Sequence, residues 1–230
     1  NGEELIQSIL KMRIDCLWFG GIGTYIKSTE ESNFNVKDPG NDSVRVNCNE
    51  VNASVIGEGA NLGITQEARC KLSESGIKVN ADFIDNSAGV NMSDYEVNLK
   101  ILSKILIKEK KINTQKDCNL LLKKIGKQVV NKVLENNIGQ HILISIEELR
   151  SQKAMSSYIS LINEWVSDGI LNSDVDAVPS SLHLERLNEK KQKLPRPLLA
   201  LLQAHIKIIM YETLVESNLV TNPYLEKLYF

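Results

Sequence analysis

Several short stretches of this chain carry residue types that could meet a bound ligand. Gly57-x-Gly59-x-x-x-Gly63 follows an apolar run and precedes a helical pattern. Glycines there would let backbone N–H groups and a helix N-terminus approach a pyrophosphate, so a dinucleotide loop is one reading. That reading also asks for an acidic residue about 20 positions on, ending the next strand and holding a ribose. Asp82 and Asp85 are the nearest and fit that requirement poorly. A tight turn beside a ligand, or plain turn chemistry, explains the same glycines. Gly20-Gly21-Ile22-Gly23 also ends an apolar run, and is either a ligand-side loop or a sterically demanded turn. Asn61 and Asn86 stand in small-residue stretches. A primary amide both donates and accepts, which suits a carboxamide, and Asn is equally a turn former. Ser93, with Glu96 three residues on, has capping-box spacing before an apolar series. A hydroxyl at a helix start can also meet an anionic group.

Other chemistries lack their residues. His141, His183 and His205 lie far apart, without a Cys or acidic companion at ligand spacing, so no metal site is expected. His205 sits in an apolar helical stretch and reads as a packed histidine. Cys16, Cys48, Cys70 and Cys118 form no C-x-x-C pair and read as reduced, mostly buried thiols of a cytoplasmic protein. Neither G-x-S-x-G nor a Cys/His nucleophile arrangement occurs. No catalytic acid or base is assigned on this chain.

Elements must hold these residues in place. Glu3 to Lys11 puts Leu5, Ile6, Ile9 and Leu10 on one side of a short helix. Ile14 to Phe19 reads as a buried strand, and Ala53 to Ile56 as a second. Residues 28–50 are polar, with a turn at Pro39-Gly40-Asn41-Asp42. Thr65 caps a helix to about Ser75, stopped by Gly76, and Ile77 to Ile84 contains a third strand. Strand, loop and helix alternate over residues 1–93, which predicts parallel α/β structure. Over 94–230 apolar residues recur at helical spacing. Helices are expected from Ser93, from Thr114 to about Asn136, and over roughly 139–152, 154–168, 181–192 and 197–217.

Composition narrows the classes. The 230 residues are 42% hydrophobic and 24% charged, values of a globular protein. Lys and Arg number 27 against 29 Asp and Glu, a net charge of −2 that offers no basic surface to nucleic acid. The most apolar stretch, Leu198 to Tyr211, is interrupted by Gln203, His205 and Lys207. A span needs roughly 20 apolar residues, so no membrane partner is expected. No secretory leader pattern opens the chain, which again suggests the cytoplasm. The chain begins at Asn1 rather than methionine, and three strands are too few for a free-standing doubly wound sheet. The expectation is that Asn1 lies partway through a nucleotide-binding domain. The fold class is then a partial Rossmann-like α/β segment, the C-terminal half of a cofactor-binding domain, followed by an all-α helical domain.

Three motifs in order carry a resemblance. LWFGGIGTY, then GEGANLGITQ, then DNSAGVNMSDYEVNLKI are similar to stretches of the large bacterial NAD-specific glutamate dehydrogenases. LPRPLLALLQAHIKIIMYETLVESNL resembles the C-terminal helical region of that family, so the likeness covers nearly the whole chain. It implies NAD as cofactor and L-glutamate and 2-oxoglutarate as substrate and product. It also implies an upstream portion of the same enzyme, which holds the catalytic groups, and a homo-oligomeric parent. By the same resemblance Gly20 and Gly21 match a loop near the cofactor. Glu58, Gly59 and Asn61 match the E-G-A-N loop, whose asparagine faces the nicotinamide ribose. Asn86 matches the asparagine near the carboxamide. Val90 and Ser93 match positions that contact the glutamate side chain, Ser93 as donor to its distal carboxylate. Ser87-Ala88-Gly89 stands where the smaller hexameric enzymes have Ala-Gly-Gly, and Leu62-Gly63-Ile64 where they have Gly-Pro-Thr. Both differences resemble the large bacterial branch. The chain is therefore expected to supply cofactor- and substrate-orienting loops. The alternative is a non-catalytic helical oligomerisation module with a vestigial nucleotide fold.

Overall fold

A computed structural model describes residues 1–219 and 221–229. It is mostly helical, with two small parallel sheets. Contacts divide it into two compact units, Asn1–Ile146 and Glu147–Phe230.

In the first unit, helix α1 (Gly2–Leu10) leads into strand β1 (Ile14–Phe19). β1 pairs in parallel with β4 (Ala53–Glu58), Cys16 opposite Val55 and Phe19 opposite Glu58. Between them lie β2 (Ile26–Lys27), a one-turn helix α2 (Asn33–Val36) and β3 (Val46–Asn47). β2 and β3 form the second parallel pair. Two-residue strands carry no alternation that sequence periodicity could register. Helix α3 (Gln66–Glu74) starts as expected, with Thr65 Oγ1 accepting from Ala68 N, and ends before Gly76 at φ 97°. Leu17, Phe19, Ile26, Val46, Ile56, Ile64, Ala68 and Leu72 close one buried core under these elements.

The third expected strand does not form as a strand. Lys78 makes only an isolated parallel bridge to Val55, and Asp82–Asp85 turns into a short helix, α4. After Asn86 the 22-residue helix α5 (Ser87–Lys108) begins at once. Ser93 is therefore inside a helix rather than its cap, because the helix starts seven residues earlier than the capping-box spacing suggested. Thr114 does cap: its hydroxyl accepts from Asp117 N at 3.1 Å before α6 (Gln115–Lys153). That helix runs 39 residues without a break, where two were expected, one to about Asn136 and one over roughly 139–152. A single helical glycine costs about 1 kcal/mol, too little to end a helix otherwise supported.

The second unit holds α7 (Met155–Ser167), α8 (Ser181–Glu189), α9 (Arg196–Glu216) and α10 (Pro223–Tyr229), preceded by the last turns of α6. Its core joins Met155, Ile162, Trp165, Leu171, Leu184, Leu194, Leu198 and Leu199. His205 packs edge-on against Trp165, ring centroids 6.1 Å apart. The polar residues of α9 do not interrupt it. By length and composition this 21-residue helix is apolar enough to cross a membrane, although the sequence reading found no such segment. Its first residues, Pro197 to Ala200 and Leu202, are buried in the unit's own core.

Candidate functional site

The parallel pairing of β1 with β4 makes both strands end on one edge, so the loops after Phe19 and after Glu58 leave side by side. In parallel sheets this carboxyl edge is where ligands lie. Gly20 and Gly21 are exposed there, and a Cβ added at Gly21 would meet nothing within 4 Å. Nothing inside the chain demands glycine at that position. The rest of the loop is fixed from below. Asp38 accepts from Thr24 N at 2.8 Å, and the buried Arg45 donates from Nε to Thr24 O at 2.8 Å. That backbone bond, with a second from Asn41, holds the Asp38 carboxyl below the ordinary carboxylate range.

The second loop, Glu58 to Ile64, is stitched almost residue by residue. Gly59 N and Ala60 N donate to Phe19 O at 2.9 and 3.1 Å. Glu58 N donates to Asp85 Oδ2 at 3.0 Å, and Leu62 N to Asp82 Oδ2 at 2.8 Å. Ile64 N donates to Glu58 Oε1 at 3.2 Å. These donors are spent on the chain itself, which overturns the dinucleotide-loop reading of Gly57-x-Gly59: the N–H groups that would cradle a pyrophosphate are satisfied internally. The glycines answer instead to Trp18. Its indole lies across them, so that an added Cβ would meet the ring at 2.6 Å from Gly57 and 2.5 Å from Gly59. Asp82 and Asp85, weighed as ribose ligands, hold this loop from α4 instead.

Glu58 is fully buried. Its two oxygens face Arg69, with Nε to Oε2 at 2.7 Å and Nη2 to Oε1 at 2.8 Å, and Arg69 also reaches Asp82 at 3.2 Å. Burial pushes the Glu58 carboxyl above its usual range, against the pull of the guanidinium. A carboxylate so enclosed offers nothing to a cofactor, and its part in the site is to hold the loop. Expected among the cofactor contacts, the Glu58 side chain is turned onto Arg69. Gly59 and Asn61 remain exposed at the tip.

Asn61 and Asn86, 25 residues apart in sequence, come together. Asn86 Nδ2 donates to Asn61 Oδ1 at 2.5 Å. The remaining Asn61 Nδ2 and Asn86 Oδ1 have no hydrogen bond among the described residues, so the pair presents one free amide nitrogen and one free amide oxygen. Flipping both amides leaves the same pattern. Asn86 joins α4 to α5 at φ −96° and ψ 8°, and the expected loop around it is helical on both sides. Val90 and Ser93 follow at i+4 and i+7, which sets them on the same side of α5 as Asn86. Both are exposed, Val90 at 65%. An open cleft of about 430 Å³ between α5 and α6 is lined by Asn91, Asp94, Tyr95, Lys132 and Asn136, and includes neither.

Sequence reasoning missed Trp18, Arg69 and His141. Trp18 was visible only as an aromatic in a strand. Its exposure of 62% and its contact with two glycines come from strand register. His141 pairs with Asp85 across 56 positions, which no local pattern could signal.

Comparison with known proteins bears on this chain. A model of the bacterial NAD-glutamate dehydrogenase catalytic domain matches residues 1–147. A protein of Halomonas elongata named NAD-specific glutamate dehydrogenase is 36% identical over 221 residues, covering 96% of this chain and 14% of its own length. Proteins of the same name from Pseudomonas aeruginosa and Mycobacterium tuberculosis are each 38% identical, covering 97% and 94% of the chain. The chain thus spans 13–14% of the length of the relatives it matches. With the family model covering the whole strand-bearing part and the three motifs clustered at one sheet edge, the chain belongs to the bacterial NAD-glutamate dehydrogenase catalytic-domain family.

Proposed function

We propose that this chain supplies the cofactor- and substrate-orienting loops of an NAD-dependent glutamate dehydrogenase, which converts L-glutamate and NAD to 2-oxoglutarate, ammonia and NADH. The observation that carries the reading is the Asn61–Asn86 pair. A free amide nitrogen and a free amide oxygen, side by side at the carboxyl edge of a parallel strand pair, complement the oxygen and the nitrogen of a carboxamide. Gly20 and Gly21 line the same edge without side chains and let a flat ring approach the backbone, while Gly59, under the Trp18 indole, stays exposed at the loop tip beside Asn61. Val90 and Ser93 continue the row along α5, where an apolar contact and a hydroxyl donor suit the stem and distal carboxylate of glutamate. The chemistry NAD supplies when bound is acceptance of the hydride from the substrate Cα. What these residues contribute is orientation, the holding of two reactants at reactive distance. Residues 1–93 are then the C-terminal half of a Rossmann-like cofactor domain and 94–230 its helical partner domain, within a longer cytoplasmic, homo-oligomeric enzyme.

A second reading, a non-catalytic assembly module, is favoured by α5. Only two serines of that helix, Ser87 and Ser103, are buried, while Val97, Ile101, Leu102 and Ile105 are 45–55% exposed. NADH fluorescence titration of the chain, alone and joined to the upstream segment of its natural polypeptide, separates the two. Binding that requires the upstream segment supports the dehydrogenase reading. Binding by neither form supports the module.

A further inference from the structure

Three polar residues on one face of α6, Asn137, Gln140 and His141, close around the short link that carries Asn86. Asn137 Nδ2 donates to Ile84 O and to Ser87 Oγ, both at 2.9 Å. Gln140 Nε2 donates to the same Ser87 Oγ at 3.1 Å. His141 Nε2 lies 3.1 Å from Asp85 Oδ1 and its Nδ1 2.8 Å from Asn137 O, so both ring nitrogens face acceptor oxygens. Asp85 and Ser87 flank Asn86, and α6 holds both. Ser87 is 8% exposed and the Asp85 side chain 7%, while the His141 side chain is 33% exposed, so these bonds are part-buried. The other oxygen of Asp85 accepts from Glu58 N at 3.0 Å, and Asn80 Nδ2 shares Oδ1 at 3.1 Å. A single chain of contacts therefore runs from His141 on α6, through Asp85, to the first residue of the loop that bears Asn61.

We infer that Asn137, Gln140 and His141 are positioning residues for the Asn61–Asn86 amide pair, and that α6 thereby sets the geometry with which the cofactor carboxamide is met. No motif singles these residues out. They act through Asp85 and Ser87. The spacing i, i+3, i+4 is what lets one helix face make all the contacts. The inference rests on the dehydrogenase reading for its ligand, but not for the clamp itself.

The test has two arms. In the 230-residue chain, hydrogen exchange of the amides at residues 58–62 and 85–89 is compared between wild type, His141→Ala and His141→Gln, with circular dichroism confirming the fold. The clamp predicts exchange at least about tenfold faster in H141A, the loss of one charge-assisted bond, and near wild type in H141Q, whose amide can still donate to Asp85. Asn137→Ala, which removes the bonds to Ile84 and Ser87, repeats the effect by an independent route. In the full-length polypeptide, H141A is expected to raise the KM for NAD about tenfold while the KM for glutamate moves less than about twofold, with H141Q restoring it. Unchanged exchange in both H141A and Asn137→Ala overturns the clamp. Faster exchange with an unaltered KM for NAD overturns its link to the cofactor. Failure of the wild-type polypeptide to bind NADH overturns the dehydrogenase reading and the cofactor link together, while the exchange arm still decides the clamp.

Discussion

Arg69 grips Glu58 by both carboxylate oxygens, at 2.7 and 2.8 Å, with the two side chains 5% and 0% exposed. The pair closes the end of β4 and, through Glu58 Oε1, holds Ile64 N at the far side of the loop. Breaking a buried ion pair by removing one partner costs about 3–5 kcal/mol, because the other charge stays in a low-dielectric site. Glu58→Gln is therefore expected to lower stability by that amount in urea denaturation, Asp82 relieving part of the strain on Arg69. Removing both charges with Glu58→Gln and Arg69→Met is expected to cost less than Glu58→Gln alone. Additive losses would show that the two residues are not coupled.

Trp18 and the glycines make a second coupled set. An alanine at Gly57 would drive its Cβ to 2.6 Å from the indole, so Gly57→Ala is expected to lose about 1–3 kcal/mol by overpacking. With Trp18→Ala in place the same substitution is expected to be nearly neutral. A thermal-unfolding double-mutant cycle reads the difference.

The amide pair predicts a ligand effect without a large stability effect. Asn61 is exposed and Asn86 half-buried, so Asn61→Ala and Asn86→Ala are each expected to cost the fold under about 1 kcal/mol. Each is expected to weaken NADH binding about tenfold, the scale of one lost hydrogen bond to a polar ligand. Fluorescence titration of the full-length polypeptide measures both, and unaltered affinity in the two variants would remove them from the site.

Ser93 stands within α5 rather than at its start, so its hydroxyl is not needed as a cap. Ser93→Ala is expected to leave the melting temperature unchanged and to raise the KM for glutamate. Steady-state kinetics with KM and kcat both unmoved would strike Ser93 from the substrate contacts.

In the second unit the Tyr158 phenol donates to Glu147, and burial with that bond pushes its pKa from 10.0 up to about 12. A group raised in the folded state lends stability that is complete below its unfolded pKa and lost as pH rises through its folded one. The wild-type chain is thus expected to lose stability between pH 10.0 and about 12 more steeply than Tyr158→Phe. Parallel melting curves of the two across that window would contradict the assignment.

Much of the framework was legible in the residues. Ile14–Phe19 as a strand, although only Leu17 and Phe19 of it are buried, Thr65 and Thr114 as caps, Gly76 as a stop and α7, α8 and α9 of the second unit all rest on patterns a few residues long, whereas α10 was not expected. The failures are equally specific. Ile77 to Ile84 is apolar enough for a strand, yet Asp82 and Asp85 are drawn to the backbone of a loop 20 and more positions away, and the segment turns helical to bring them there. Ser93-x-x-Glu96 has the spacing of a cap, but α6 holds Ser87 and the helix starts early.

The sequence by itself determined which residues are apolar in which period, where chain turns are cheap, and the ordered motifs that mark the family. Those are local properties, set by backbone sterics, hydrogen bonding within a turn, and side-chain polarity. Only the tertiary structure decided that Glu58 is enclosed by Arg69, that Trp18 is the reason for Gly57 and Gly59, and that Asn61 meets Asn86. Such pairings depend on strand register and on which helix packs against which loop. They are decided by satisfaction of buried polar groups over the whole fold, a condition that no short window of residues can express.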